Sequence, residues 1–261
     1  MIMIIIGPGI MIESPNLFPK VDRLTAFFDT FELEVSLELS QISDGRARLF
    51  VIGEPGGPAE KILLRARGDV ACEPSALITA AVDFEGAHNP LMNALPDHIV
   101  VNVNDIPTLR DTTAAFVAEA LESRCGRSAA LNRLCEVVVL LILRSAIDRG
   151  TTEPGLLAGL SHPLLHRALV AMHDQPTRAW NSDDLAAMAG MSRSHFMALF
   201  REVVGTTPQA YLTGWRLTVA RRKLTKGAKV KAVARQVGFG SAAAFSRAYF
   251  RKFGHWPSVR S

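Results

Sequence analysis

Ser192-Arg193-Ser194-His195-Phe196-Met197-Ala198-Leu199-Phe200-Arg201-Glu202-Val203-Val204-Gly205-Thr206-Thr207-Pro208 recurs further along the chain as Ser241-Ala242-Ala243-Ala244-Phe245-Ser246-Arg247-Ala248-Tyr249-Phe250-Arg251-Lys252-Phe253-Gly254-His255-Trp256-Pro257. In both copies a Ser, an aromatic four residues on, a second aromatic four further, a Gly and a Pro hold the same offsets. Upstream of each lies a short apolar stretch ending in Gly: Leu185 to Gly190, and Val233 to Gly238. A Gly that adopts the left-handed conformation stops a helix. The Ser beyond the turn suits an N-cap, its hydroxyl accepting from the first free N–H groups of the next helix. That helix is apolar at Phe196, Leu199, Phe200 and Val203 in one copy and at Phe245, Ala248, Tyr249 and Phe253 in the other. Such spacing buries one face. The pattern predicts two helix-turn-helix units, about 182–204 and 230–253, with Ser192 and Ser241 capping their second helices.

In this motif the second helix enters the major groove. Off the apolar stripe lie Arg193, Ser194, Met197 and Arg201 in the first copy, and Ala242, Ala243, Ser246, Arg247 and Arg251 in the second. Arg matches the O6/N7 edge of guanine, so Arg193 and Arg247 are the first candidates for base reading, with phosphate contact the alternative. Ala242-Ala243-Ala244 offers no side-chain hydrogen bonds, so the second unit is expected to read thymine methyls or DNA shape. Pro208 to about Leu224 predicts a connecting helix of ~25 Å, set against a groove repeat of ~34 Å. Arg221-Arg222-Lys223, Lys226, Lys229 and Lys231 near its end are candidate phosphate contacts.

Charge agrees. From His162 onward the chain holds 16 Lys/Arg against 4 Asp/Glu, a local charge of +12; the preceding residues hold 13 against 21, or −8. A basic module for a polyanion joined to a module with another task follows.

The residues from Trp180 through Ala189-Gly190-Met191-Ser192-Arg193-Ser194, Phe200-Arg201, Gly205, Pro208, Tyr211-Leu212 and Trp215-Arg216-Leu217, and then Val237-Gly238-Phe239, Phe245-Ser246-Arg247-Ala248 and Phe253-Gly254, resemble the AraC/XylS family of transcription regulators. The resemblance covers about 162–258. It implies a seven-helix domain whose two recognition helices enter adjacent major-groove segments, and activation or repression at promoters under a small-molecule signal. Three departures stand out: Trp256 where the family has Ser or Thr, Phe250 at a commonly basic position, and no aromatic residue between Val259 and Arg260.

Ahead of this module, Leu33–Leu39, Ala47–Ile52 and Lys61–Arg65 read as short strands separated by turns such as Ser43-Asp44-Gly45 and Glu54-Pro55-Gly56-Gly57-Pro58. They predict an antiparallel sandwich or barrel. Leu64 to Val70, with Gly68-Asp69 and then Pro74, resembles the turn of a cupin barrel. Helical periodicity from Asp111 to Arg149 is apolar on more than one face, which calls for packing on the barrel or against a second copy. Breakers at 149–155 mark a linker.

The expected organisation is a cupin-like sensing and dimerisation domain over 1–148, a linker at 149–161 and the double helix-turn-helix domain over 162–261. The expected fold is thus two-domain, a β-sandwich or barrel with C-terminal helices followed by an all-α domain.

Other chemistries find little support. Cys72, Cys125 and Cys135 are odd in number and outside any CxxC, against a disulfide framework or zinc site. Glu85, His88 and His98 lack the ligand spacing of a metal cupin. His162 and His166 form an i, i+4 pair without an acidic or thiol partner, and read with His173 as ordinary helix residues. No metal, cofactor or catalytic residue is therefore expected. The apolar start, Met1 to Met11, is broken by Gly7-Pro8-Gly9, and Val137–Leu143 falls short of the ~20 residues a membrane span needs. The expected protein is a cytoplasmic, non-enzymatic, sequence-specific regulator. Its expected partners are double-stranded promoter or operator DNA, a small-molecule effector, RNA polymerase where it activates, and a second copy of itself. A metal-dependent cupin enzyme with a nucleic-acid-binding tail and a non-specific DNA-coating protein are the alternatives.

Overall fold

A computed structural model describes residues 22–25, 28, 33–37, 46–66, 73–83, 95–150 and 154–258. The apolar start, the Ser43–Gly45 and Gly68–Asp69 turns, Cys72, Glu85, His88, Val259 and Arg260 lie outside them.

Five strands, β1 (Glu34–Ser36), β2 (Ala47–Gly53), β3 (Ala59–Arg65), β4 (Ala76–Asp83) and β5 (His98–Asn102), form one antiparallel sheet in the order β1-β4-β2-β3-β5. The central β2 is a nearly continuous buried run, Ala-Arg-Leu-Phe-Val-Ile-Gly. Edge strand β5 alternates exposed and buried residues, the two-residue period of a half-covered strand. The first three strands coincide with the bursts read from the sequence, β1 being shorter. β4 and β5 were not singled out there.

Helix α1 (Pro107–Leu121) starts on Pro107, where a missing N–H costs nothing. It buries Leu109, Thr113, Phe116 and Ala120 along one face. Helix α2 (Arg127–Arg149) buries Leu131, Cys135, Val138, Val139, Leu141, Ile142, Leu143 and Ile147. Its apolar residues spread round the helix because α1 and the sheet cover one side and the following helix, Leu156–Ser161, another. Among the described residues no helix is long and apolar enough to cross a membrane.

The helical unit then runs α3 (Leu156–Ser161), α4 (Leu165–Asp174), α5 (Ser182–Met188), α6 (Arg193–Val204), α7 (Pro208–Thr225), α8 (Val230–Gln236) and α9 (Ala242–Phe253). These are seven helices among the described residues, but the first lies inside the stretch expected as linker. The breakers end at Gly155, and Leu156-Leu157-Ala158-Gly159-Leu160 is apolar enough to be buried throughout. Gly159 lets α3 approach its neighbours: a Cβ there would sit 2.5 Å from Leu169 Cδ1 and 2.9 Å from Val204 Cγ2.

Two apolar cores result. One is continuous from the sheet through α1 to α6 and into the first half of α7, ending at Leu212 and Trp215. The other begins at Leu217 and contains Ala220, Leu224, Val233, Ala234, Val237, Phe245, Ala248, Tyr249 and Phe253.

Candidate nucleic-acid interface

The two units are built by the same local devices. After α5, Gly190 (φ +69) donates to Ala187 O and Met191 N–H donates to Ala186 O. After α8, Gly238 (φ +82) donates to Arg235 O and Phe239 N–H donates to Ala234 O. Each pair closes the helix end in a Schellman arrangement. Ser192 Oγ then accepts from His195 N–H at 3.4 Å, and Ser241 Oγ from Ala244 N–H at 3.1 Å. Gly205 and Gly254, both left-handed, end α6 and α9. The buried faces are Phe196, Phe200 and Val204 in α6 and Phe245, Ala248, Tyr249 and Phe253 in α9. Leu199 and Val203 are half-buried.

The opposite faces are open. Arg193, Ser194 and Arg201 are exposed on α6 and Met197 is half-buried; Arg247 and Arg251 are exposed on α9 and Ser246 is half-buried. Ala243 is exposed at the start of α9, between the half-buried Ala242 and Ala244. Lys229 is exposed just ahead of α8, at its N-cap position. Arg193 meets Asp183 at 3.4 Å, a partner not picked out in the sequence; with both side chains about two-thirds exposed (64% and 68%) the pair is an easily exchanged one.

Helix α7, 18 residues long and thus ~27 Å, joins the two units. Arg216 on its middle turn, beside the motif residue Trp215, bonds three backbone carbonyls: Pro176 O from Nε, Arg178 O from Nη2 at 2.8 Å and Gly238 O from Nη1 at 3.4 Å. It therefore ties the loop before α5 to the turn of the second unit. Gly238 admits this closeness, since a Cβ there would meet Thr177 backbone at 3.0 Å.

His173, on α4, shares a 2.6 Å hydrogen bond between Nε2 and Tyr211 Oη and stacks on Trp215 at 4.1 Å. Burial pushes its pKa down to about 3 and pushes the Tyr211 hydroxyl up. His162 Nδ1 accepts from Leu164 and Leu165 N–H, and His166 Nδ1 faces His162 O. No group of three metal-binding side chains forms among the described residues.

Phe250 and Trp256, noted in the sequence only as departures, pair at 4.8 Å while remaining 41% and 59% exposed. With Ala244, Arg247 and Arg251 they line a groove of about 370 Å³ on the open side of α9.

Comparison with known proteins agrees with this architecture. Residues 185–259 match the helix-turn-helix domain family and residues 40–148 the cupin family. The chain is 35% identical over 190 residues to the RCS-specific HTH-type transcriptional activator RclR of Escherichia coli K12, covering 71% of this chain and 67% of that protein. A putative AraC-like transcription regulator of Streptomyces lividans is 33% identical, over 66% of this chain and 58% of its own length. The regulator AlkR of Acinetobacter baylyi is also 33% identical, over 65% and 57%. The chain thus spans between about half and two thirds of the length of these relatives. Among solved structures, an AraC-type regulator from Chromobacterium violaceum superposes with a TM-score of 0.35 at 30% identity, over 36% of this chain and 86% of its own. The DNA-binding domain of AdpA in complex with a target DNA gives 0.35 at 29%, over 37% and 87%. Two Ser-capped helices with open cationic faces, a cupin-type domain before them and relatives of this identity place the chain in the AraC-type family of helix-turn-helix transcription regulators.

Proposed function

We propose that this protein binds a specific promoter or operator through both recognition helices and that a small-molecule effector in its cupin-type domain sets the outcome. The observation that carries the reading is the pairing of exposed cationic faces, Arg193, Ser194 and Arg201 on α6 and Arg247 and Arg251 on α9, on helices joined by one rigid strut. Arg193 and Arg247 read bases; Ser194, Met197, Arg201, Ser246 and Arg251 complete the readout surface; Lys229 holds phosphate. In this reading the sensing domain extends over residues 1–148 and the DNA module over 162–261, joined by 149–161. The protein acts in the cytoplasm as a regulator, not an enzyme. A second copy docks through the outer faces of α1 and α2, where Leu121 and Val137 are exposed, and RNA polymerase is the further partner where output is activation.

Genome-wide mapping of bound DNA, with and without candidate metabolites, tests the reading. Recovery of a recurrent motif, preferred over unrelated duplex by ~10³-fold or more at physiological salt, is expected. Uniform coating of DNA would overturn it, and so would motif binding that persists when α9's Arg247 and α6's Arg193 are both replaced by Ala.

A further inference from the structure

A cleft of about 400 Å³ opens where four segments of the chain meet. Pro154, Gly155 and Leu156 enter from the sensing side; Val204 and Gly205 end α6; Ala210, Tyr211, Gly214 and Trp215 come from α7; Lys252 reaches in from α9. Gly155 N–H donates to Val203 O at 2.9 Å and closes one wall.

Among the described residues, Lys252 is the only cation of the lining. It does not share the DNA-facing stripe of α9: Arg247, Phe250 and Arg251 are exposed, whereas Lys252 is half-buried and directed at the strut. Its Nζ donates to Gly214 O at 2.7 Å and to Thr218 Oγ1 at 3.1 Å. An ammonium has three N–H donors, so these two neutral acceptors leave one N–H unused, with the Phe253 ring centroid 5.6 Å from Nζ. Among the described residues no carboxylate forms a salt bridge with it, and of these Asp174, Asp183, Asp184 and Glu202 are absent from the lining. Gly214 is what admits the lysine, since a Cβ there would stand 3.3 Å from Nζ. Elsewhere the lining is Pro, Leu, Val, Ala and the rings of Tyr211 and Trp215.

We propose that this cleft binds a small organic monoanion, a single carboxylate on a compact apolar body, with the carboxylate on Lys252 Nζ and the body against Leu156, Val204, Tyr211 and Trp215. The volume suits a ligand at the small end of ordinary sites. A lone ammonium among apolar walls favours one negative charge over the two of a phosphate monoester. Burial without a counter-charge also holds the Lys252 pKa down at about 8, a cost that a bound carboxylate relieves. The occupant touches the entry segment, the strut and α9 together, so it bears on the angle of the second recognition helix. This site is separate from the effector site placed in the cupin-type domain.

The test is an NMR titration of the full-length chain with 3-phenylpropanoate, carried to about 10 mM because a ligand of so few atoms binds in the millimolar range. Saturable shifts at the Gly155, Gly205 and Gly214 amides and the Trp215 indole are expected, with the uncharged 3-phenylpropanamide about tenfold weaker. Lys252→Gln removes the preference for the anion and Lys252→Arg keeps it. Ala210→Phe, an exposed helical position that lines the cleft, blocks both probes and stands in if Lys252→Gln fails to fold. The proposal is overturned by absence of saturable shifts there, by equal binding of acid and amide, or by binding indifferent to Ala210→Phe. None of these readouts involves DNA, so their failure leaves the regulator reading standing.

Discussion

The two helix-turn-helix units share their capping, their turn chemistry and their spacing, but they are anchored very differently. In the first, Phe196 and Phe200 belong to the large core that runs back through α3 and α4 to the sheet. In the second, Phe245, Tyr249 and Phe253 close a small core with the far half of α7 and with α8. A helix rooted in a large core is held by many neighbours, whereas a small satellite core opens at lower free energy. The first unit is therefore continuous with the cupin-type domain, and the second is the part whose orientation must be set by specific ties. Arg216 and Lys252 supply them, one to the turn at Gly238 and one from α9 to Gly214.

The strongest way to break this contrast is Phe245→Ala. Removing a fully buried ring from so small a core is expected to cost ~3–5 kcal/mol. Hydrogen exchange should show α8 and α9 losing protection while α6 keeps it; equal loss in both units would show that they are one cooperative body. Next comes Arg216→Ala, which frees three carbonyls from a charged donor and is expected to cost ~2–3 kcal/mol. Its signature is weakened binding to a two-groove site with little effect on a half-site read by α6 alone, measurable by titrating both duplexes.

Acid tests the root of the first unit. Because burial lowers the His173 pKa to about 3, the unfolded chain takes up the proton first, near 6.5. The neutral form's stability is present above that value and is lost as pH falls towards 3. About 2 kcal/mol should disappear between pH 7 and pH 5. Denaturation of the wild type and of His173→Gln at both pH values checks this, the variant losing that slope.

For the open faces, Arg193→Ala and Arg247→Ala are each expected to lower specific affinity by ~1–3 kcal/mol while sparing non-specific binding. Lys229→Ala should have the smallest effect, lowering both alike and reducing the salt slope by about one. If all three variants behave alike, the division between base and phosphate contacts is wrong.

Much of this was legible because helix-turn-helix units are specified locally. Ser192, Ser241, Gly190, Gly205, Gly238 and Gly254 act within a few residues of themselves, and the aromatic stripes recur at helical spacing. The strands at Ala47–Gly53 and Ala59–Arg65 were visible for a similar reason, being short runs bounded by turn residues. β5 was missed because its five residues carry too short an alternation, and α3 because Gly and Pro just before it masked an apolar run.

What sequence alone determined is the pair of capped, one-face-apolar helices and the basic half that carries them, since both are set by nearest neighbours and by composition. What only tertiary structure decided is which long-range partners bind them. Arg216 finds the Gly238 turn, Lys252 lies across Gly214, His173 lodges under Tyr211, and the apolar interior divides in two at the middle of α7. These contacts join residues more than twenty positions apart, and no local propensity encodes them; they follow from how the helices pack once formed.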